Sequence, residues 1–319
     1  MLVLGINGSP RKKSNSGFLL STFLEEAEKL GARTHVVDVN SQNILPCREL
    51  IVCEKKGFCP IDDDMKTEVY SLLREADVVV PATPIFFYNA TAQLKALIDR
   101  SQTLWARKYR LNLSDPKSKI RRGFYLSVAA TRGKQLFEGL DLTMKYFFDA
   151  VDARHDGGLT YRGVEHSGDM EKHPTMKDDI RDTVNTLVGP LAKRKKIVFG
   201  GHQDACRSQM AAAFTNYLAG DQIDAERGGS KPAQRIHPLV GAVMREKGID
   251  MAFHQPRSLN PATKADRIIQ FTGGSEDPTP TGNEEVWEIP PPSEEDPDTL
   301  RRVRDDIDQR VQSLLASID

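Results

Sequence analysis

A short apolar run that passes straight into a loop of small residues and then into a helix occurs twice in this chain, and that arrangement restricts the fold more than any other feature. The first copy is Leu2-Val3-Leu4-Gly5-Ile6, then Asn7-Gly8-Ser9-Pro10, then a helical stripe over 17–30 with Leu20, Phe23, Leu24, Ala27 and Leu30 on one face. Continuous apolar runs, unlike alternating ones, mark strands buried on both faces of a parallel sheet. The pattern predicts further strands over 34–39, 77–82, 123–129 and 158–164, and a helix over 92–104 with Leu94, Leu97 and Ile98 facing inward. After the charged stretch 192–196 the pattern restarts with Ile197-Val198-Phe199, a loop, and a helix over 207–218. A helix over 238–247 and a strand over 267–271 follow. Residues 276–297, rich in Pro, Glu and Asp, read as mostly irregular with a short strand at 286–289, and Leu300, Val303, Ile307, Val311 and Leu314 mark a closing helix.

Strands alternating with helices predict the α/β class, here as two three-layer domains, each on a doubly wound parallel sheet. The length of 319 residues, about twice a typical domain, agrees with a cut that gives domains 1–191 and 192–319. Apolar residues at 39% and charged residues at 28% fit a globular chain, and a net charge of −1 gives no global attraction to nucleic acid or to an anionic membrane. No apolar run of the roughly 18 residues that a membrane span needs is present, and the start reads as a strand without a basic leader, so the expected location is cytoplasmic. Of four cysteines, Cys47, Cys53 and Cys59 cluster within thirteen residues. Such a cluster points to metal or redox chemistry rather than to a disulfide framework.

Three loops carry the candidate chemistry of the first half. Gly8 to Gly17 joins the first strand to the first helix, where backbone N–H groups close around a phosphate and the helix dipole adds about 0.3–1 kcal/mol. Ser9, Ser14 and Ser16 add hydroxyls and Arg11 adds charge, although the same composition also suits a plain polar turn with an N-cap serine. After the third strand, the segment from Pro81 to Thr91 is stiffened by Pro81 and Pro84 and carries three successive aromatics. That is a rigid apolar surface for a flat ring, at the sheet edge where ligands bind. Ser127 to Gly133 is a third small, polar loop on the same edge.

These segments together resemble the NADPH-dependent FMN reductase and iron–sulfur flavoprotein family, a flavodoxin-like group. The motifs are Gly8-Ser9-Pro10-Arg11 with Ser14-Asn15-Ser16, Pro84-Ile85-Phe86-Phe87-Tyr88-Asn89, and Asp62-Asp63-Asp64-Met65. The resemblance implies FMN, its phosphate on Ser9, Arg11, Ser14, Asn15 and Ser16, its ring on Pro84, Ile85, Phe86, Phe87 and Asn89, and Thr131 and Gly133 closing the site. It implies NAD(P)H as hydride donor and a flavin, quinone, metal ion or protein electron carrier as acceptor, with the flavin carrying the chemistry and no catalytic side chain. It also implies a homodimer or homotetramer. The stretch from Cys47 to Cys59 resembles the cysteine motif of iron–sulfur flavoproteins, with Leu50 at the place of a fourth cysteine. A four-iron cluster usually takes four thiolates, so the expectation is a loop of free or redox-active thiols, with a cluster completed by a non-cysteine ligand as the alternative.

The second half is similar to the low-molecular-weight tyrosine phosphatase and thioredoxin-coupled arsenate reductase family through Ile197 to Ala211, Ile236-His237-Pro238-Leu239 and Met244 to Asp250. That family places a cysteine thiolate six residues before the loop arginine. Here that position is Gly201, and Cys206 abuts Arg207 where in-line attack fails. Pro291 stands where the family's general-acid aspartate belongs, and no cysteine follows Cys206. An oxyanion cradle on Arg207 and Ser208 is what the resemblance leaves, with a purely structural scaffold as its alternative. The expected function is an FMN-dependent NAD(P)H oxidoreductase with a C-terminal pseudo-phosphatase module. The competing readings are a regulatory flavoprotein without turnover and arsenate reductase or phosphatase activity in the C-terminal domain.

Overall fold

A computed structural model describes residues 1–259, 264–282, 284–292 and 296–318. The expected irregular stretch 276–297 therefore lies partly outside the described residues, at 283 and 293–295. The chain forms two compact units, one of 1–112 with 120–193 and one of 113–119 with 194–319. The segment 113–119, expected inside the first domain, pairs with the second unit instead. Ser114 N donates to Gly248 O and Asp250 N to Ser114 O, both at 2.8 Å.

The first unit holds five parallel strands, β1 (Leu2–Asn7), β2 (Arg33–Asp38), β3 (Val78–Pro84), β4 (Arg122–Ala129) and β5 (Arg154–Arg162), in the order β2-β1-β3-β4-β5. Strand residues point alternately to the two faces. Val3, Val78, Val80, Phe124, Leu126 and Val128 form one core with Leu19, Leu20, Phe23 and Leu24 of helix Asn15–Lys29 and with Ile180 and Val184 of helix Met176–Leu187. Leu4, Ile6 and Val79, at the intervening positions, are equally buried and face the opposite layer. The expected helix over 92–104 is two helices, Ala92–Arg100 and Gln102–Tyr109, divided at Ser101.

The second unit holds β6 (Lys195–Gly201), β7 (Ile223–Gly229), β8 (Arg267–Thr272) and β9 (Glu285–Glu288), all parallel, in the order β7-β6-β8-β9. Its core joins Ile197 and Phe199 to Met210 and Phe214 of helix Arg207–Ala219 and to Leu300, Ile307 and Val311 of helix Pro297–Ala316. In each sheet the strand order reverses beside the first strand, between β1 and β3 and between β6 and β8. Ligands of doubly wound sheets bind outside the carboxyl ends of strands at such points. Both candidate loops leave the sheet there. No helix among the described residues is long and apolar enough to cross a membrane.

Candidate functional site

The loop after β1 is pinned from beneath. Gly8 N donates to Ala82 O at 2.8 Å, and Thr91 Oγ1, the N-cap of helix Ala92–Arg100, donates to Gly8 O at 2.6 Å. A Cβ on Gly8 would lie 2.8 Å from Leu94 Cδ2 and 3.0 Å from Ala82 O, so only glycine lets the loop sit this close to β3. Ser14 caps the first helix by accepting from Gly17 N at 3.0 Å, and Ser9 Oγ accepts from Arg11 N at 3.3 Å. Each hydroxyl spends a lone pair on the loop and keeps its hydrogen for a ligand. The amides of residues 12–16 donate to no described group, and the Ser16 hydroxyl is buried without a partner. A buried unpaired polar group costs about 1–3 kcal/mol, a cost that an acceptor placed at this rim would remove.

Ser9, Arg11, Ser14, Asn15, Ser16, Pro84, Ile85 and Phe86 line one cleft. Asn15 turns its side chain elsewhere, donating to His166 O at 2.8 Å and accepting from Met170 N at 3.2 Å, which leaves its backbone amide for the cleft. Phe87 is outside the cleft and fully exposed. Phe86 and Asn89 close a tight turn through reciprocal backbone bonds, with Phe87 (φ 47°) and Tyr88 (φ 62°) both left-handed at its tip. Asn89 donates to Thr143 Oγ1 at 3.0 Å on helix Glu138–Ala150, so its side chain fixes the turn rather than facing the cleft. Thr131 and Gly133 lie beyond the rim, whose edge is made by Ala129 and Ala130. Val164, Glu165 and Ser167, just past β5, complete the lining. These three carry no motif of their own, although a segment following the end of a fifth strand belongs to the same rim by topology.

Cys47, Cys53 and Cys59 are free thiols around a separate cavity of about 540 Å³. Among the described residues no three His, Cys, Asp or Glu side chains converge as a single metal ion requires, so the three cysteines do not form a mononuclear site. The Asp62-Asp63-Asp64 motif anchors the cysteine loop. Asp63 pairs with the fully buried Arg100, with Nη2 to Oδ1 at 3.0 Å, and accepts from Leu45 N at 3.0 Å, while Asp64 accepts from Asn43 N at 2.6 Å.

In the second unit, the loop between β6 and helix Arg207–Ala219 turns its carbonyls outward. Those of Gly201, His202, Gln203 and Ala205 accept from Ser230, Lys231, Ala233 and His237 amides at 2.8–3.0 Å, and Asp204 O accepts from Gln209 Nε2 at 2.8 Å. The amides of residues 202–209 donate to no described group. They line a cavity of about 190 Å³ with Arg207 and Ser208. Asp204, left-handed at φ 49°, knits the loop from below, accepting from Ser208 Oγ and Arg227 Nη1 at 2.7 Å each. The Ser208 hydroxyl thereby donates to the loop, while the residue lines the cavity with Arg207. Arg207 donates through Nη1 and Nη2 to Asp277 and through Nη1 to Ile289 O at 2.7 Å. Its Nε has no acceptor among the described residues. Burial pushes the Cys206 thiol up to about 12 against a weaker pull from Arg207, so it is a neutral thiol at ordinary pH.

A family model described as NADPH-dependent FMN reductase matches residues 1–118, and one described as low molecular weight phosphotyrosine protein phosphatase matches residues 196–319. The chain is 34% identical to an iron–sulfur flavoprotein of Methanosarcina thermophila over 174 residues, which cover 52% of this chain and 85% of that protein. It spans about half the length of further iron–sulfur flavoproteins that it matches, 53% and 54% in two cases. It is 31% identical to a glutaredoxin arsenate reductase of Synechocystis sp. over 130 residues, 39% of this chain and 98% of that protein. A solved arsenate reductase in the phosphate binding state is similar at 28% identity and a TM-score of 0.36, covering 39% of this chain and 99% of that one. The chain thus belongs, in its first half, to the NADPH-dependent FMN reductase and iron–sulfur flavoprotein family and, in its second, to the low-molecular-weight phosphotyrosine phosphatase and arsenate reductase family.

Proposed function

We propose that the first unit binds FMN and acts as a nicotinamide-dependent oxidoreductase that passes electrons to a flavin, quinone or electron carrier, and that the second unit holds an oxyanion without turning it over. The observation that carries the first part is the Ser16 hydroxyl, buried and unpartnered beside five uncommitted amides on the same cleft as Pro84, Ile85 and Phe86. A phosphate supplies the missing acceptors. Arg11 neutralises it, and the amides of 12–16 with the hydroxyls of Ser9, Ser14 and Ser16 fix it at the helix N-terminus. Pro84 and Ile85 present an apolar wall that orients a planar ring and keeps water off one face. When bound, FMN supplies the hydride and one-electron chemistry. No side chain of the chain is required as nucleophile.

The exposed Phe87 and Tyr88 stand beside helix Glu138–Ala150, whose Leu142 and Tyr146 are also exposed. This apolar face supports the homo-oligomer that the family resemblance implies, with a second copy covering it. For the second unit, the inward amides and the free Nε edge of Arg207 support anion binding. Gly201 in place of a nucleophile, Pro291 in place of an acid and the neutral Cys206 support the absence of turnover.

The deciding measurement is an absorption spectrum of the purified chain with added FMN, followed by NADH and NADPH oxidation with quinone or free flavin as acceptor. A flavin spectrum with turnover is expected. Bound flavin without turnover would favour a regulatory flavoprotein, and failure to bind FMN would end the reading.

A further inference from the structure

We propose that Asp277 makes the cavity of the second unit selective for a tetrahedral oxyanion that still carries a proton, hydrogen phosphate or hydrogen arsenate, over sulfate and over phosphate monoesters. This rests on the oxyanion reading of that unit and adds to it which anion is held.

Two observations carry this. The first is charge. Among the described residues that line the cavity, Arg207 is the one lysine or arginine. Asp277 already meets its charge, at 2.6 and 3.0 Å, with both side chains nearly buried. Asp204, on the same lining, is matched by Arg227 at 2.7 Å. His202 stands 3.8 Å from Glu276, an exposed carboxylate at the rim. The cavity thus offers an incoming anion oriented N–H dipoles rather than an uncompensated guanidinium or ammonium. Net attraction does little to choose between anions of equal charge, and hydrogen-bond complementarity is left to do so.

The second is the balance of donors and acceptors. The carbonyls of Gly201, His202, Gln203, Asp204 and Ala205 are all taken by other parts of the chain, whereas the amides of 202–209 donate to no described group. The loop is therefore a surface of donors. Asp277 is the exception on the lining. Its Oδ2 accepts from Arg207 Nη1 and Gly274 N, and its Oδ1 accepts from Arg207 Nη2 alone. A carboxylate oxygen has two lone pairs, so Oδ1 keeps one for a further donor.

Hydrogen phosphate and hydrogen arsenate fit that balance, because three oxygens accept from amides while the O–H donates to Oδ1. Sulfate has no proton to give, and neither has the fully ionised end of a phosphate monoester. Either would set lone pair against lone pair in a nearly buried place, and that repulsive element is what confers selectivity.

The test is calorimetric titration of the full chain, with FMN added, in a buffer free of phosphate and sulfate. At mildly alkaline pH inorganic phosphate, arsenate, sulfate and phenyl phosphate carry the same double charge, and only the first two keep a proton. Phosphate and arsenate are expected to bind, with sulfate and phenyl phosphate roughly 10- to 100-fold weaker. Asp277→Ala removes the acceptor and should bring sulfate level with phosphate. Asp277→Asn, which keeps the shape and replaces one oxygen by a donor, should narrow the same gap and stands in if the alanine variant does not fold. A gap that closes with Asp277 cannot come from anions bound elsewhere on the chain. Sulfate binding the wild type as tightly as phosphate, or a sulfate gap that survives both substitutions, overturns the proposal and leaves the oxyanion reading standing. Binding of none of the four overturns the oxyanion reading, and the proposal with it.

Discussion

Asp277 grips Arg207 end-on, with Oδ1 2.6 Å from Nη2 and Oδ2 3.0 Å from Nη1. Both side chains are nearly buried, at 5% and 10% exposure. Asp277 is itself fixed by Gly274 N, which donates to Oδ2 at 2.7 Å. The arginine is thus held through both Nη1 and Nη2. Breaking such a pair by deleting one partner costs about 3–5 kcal/mol because a buried charge is left uncompensated. Asp277→Ala is therefore expected to lose stability on that scale and to recover part of it in phosphate, which supplies a replacement counter-anion. Thermal melts of both proteins with and without phosphate check this. Equal stabilisation of the two by phosphate contradicts it.

Gly201 is not held as glycine by space. A Cβ there meets nothing nearer than Phe271 Cβ at 3.9 Å. Gly201→Cys should fold, and the surrounding amides and Arg207 should lower the new thiol's pKa. Alkylation by iodoacetate near neutral pH and slow hydrolysis of p-nitrophenyl phosphate are expected. The rate should stay about 10²–10⁴-fold below that of a complete enzyme, because Pro291 cannot supply the proton that a general acid gives. Hydrolysis by the wild type at a similar rate would show that the nucleophile was not lost.

Ser16→Ala should act in opposite directions on the free and the loaded protein. Without ligand it removes an unpaired buried hydroxyl and should leave the melting temperature equal or higher. With FMN it removes a donor to a charged acceptor, worth about 1.5–3 kcal/mol, or roughly a 10- to 150-fold weaker Kd. Flavin fluorescence titration and melting of the free protein give the two signs, and an unchanged Kd refutes the phosphate assignment.

The Glu246 carboxyl is held down at about 2 by Arg301 and then Arg304, whose nitrogens lie 2.6 and 2.8 Å away. A depressed folded-state pKa contributes stability that is complete above the unfolded value of 4.5 and lost as pH falls toward 2. The pair is exposed, so its contribution is small and salt-sensitive. Glu246→Gln should lie slightly below the wild type in melting temperature at neutral pH and converge with it near pH 2. Curves that stay parallel down to acid pH exclude the link.

Phe87→Asp tests the apolar face. A charge at this fully exposed position should leave folding intact, since Phe87 contributes nothing to the core, while shifting a dimer or tetramer toward the monomer in light scattering. An unchanged mass moves the subunit contact elsewhere.

The local code is enough for the buried strands. Leu2 to Ile6 and Ile197 to Phe199 announce themselves because a strand covered on both faces must be apolar throughout, and the small residues after them mark the two candidate loops. The same local signals single out Ser9, Arg11, Ser14, Ser16, Pro84, Ile85 and Phe86, which the fold then gathers around one cleft. Strand β7 is invisible by that rule, since Asp224, Glu226 and Arg227 interrupt it. Its charges are met by partners elsewhere in the chain, Asp224 by Arg194 at 3.5 Å, Glu226 by Lys196 at 3.5 Å and Arg227 by Asp204 at 2.7 Å. Likewise Asn15, Phe87 and Asn89 sit in the right loops, yet the chain's own contacts turn their side chains away from the cleft. Periodicity is written in neighbouring residues and can be read from them. Which charge meets which, as when Arg207 finds Asp277 seventy positions on, is settled only when the sheet order brings separate strand ends to one rim.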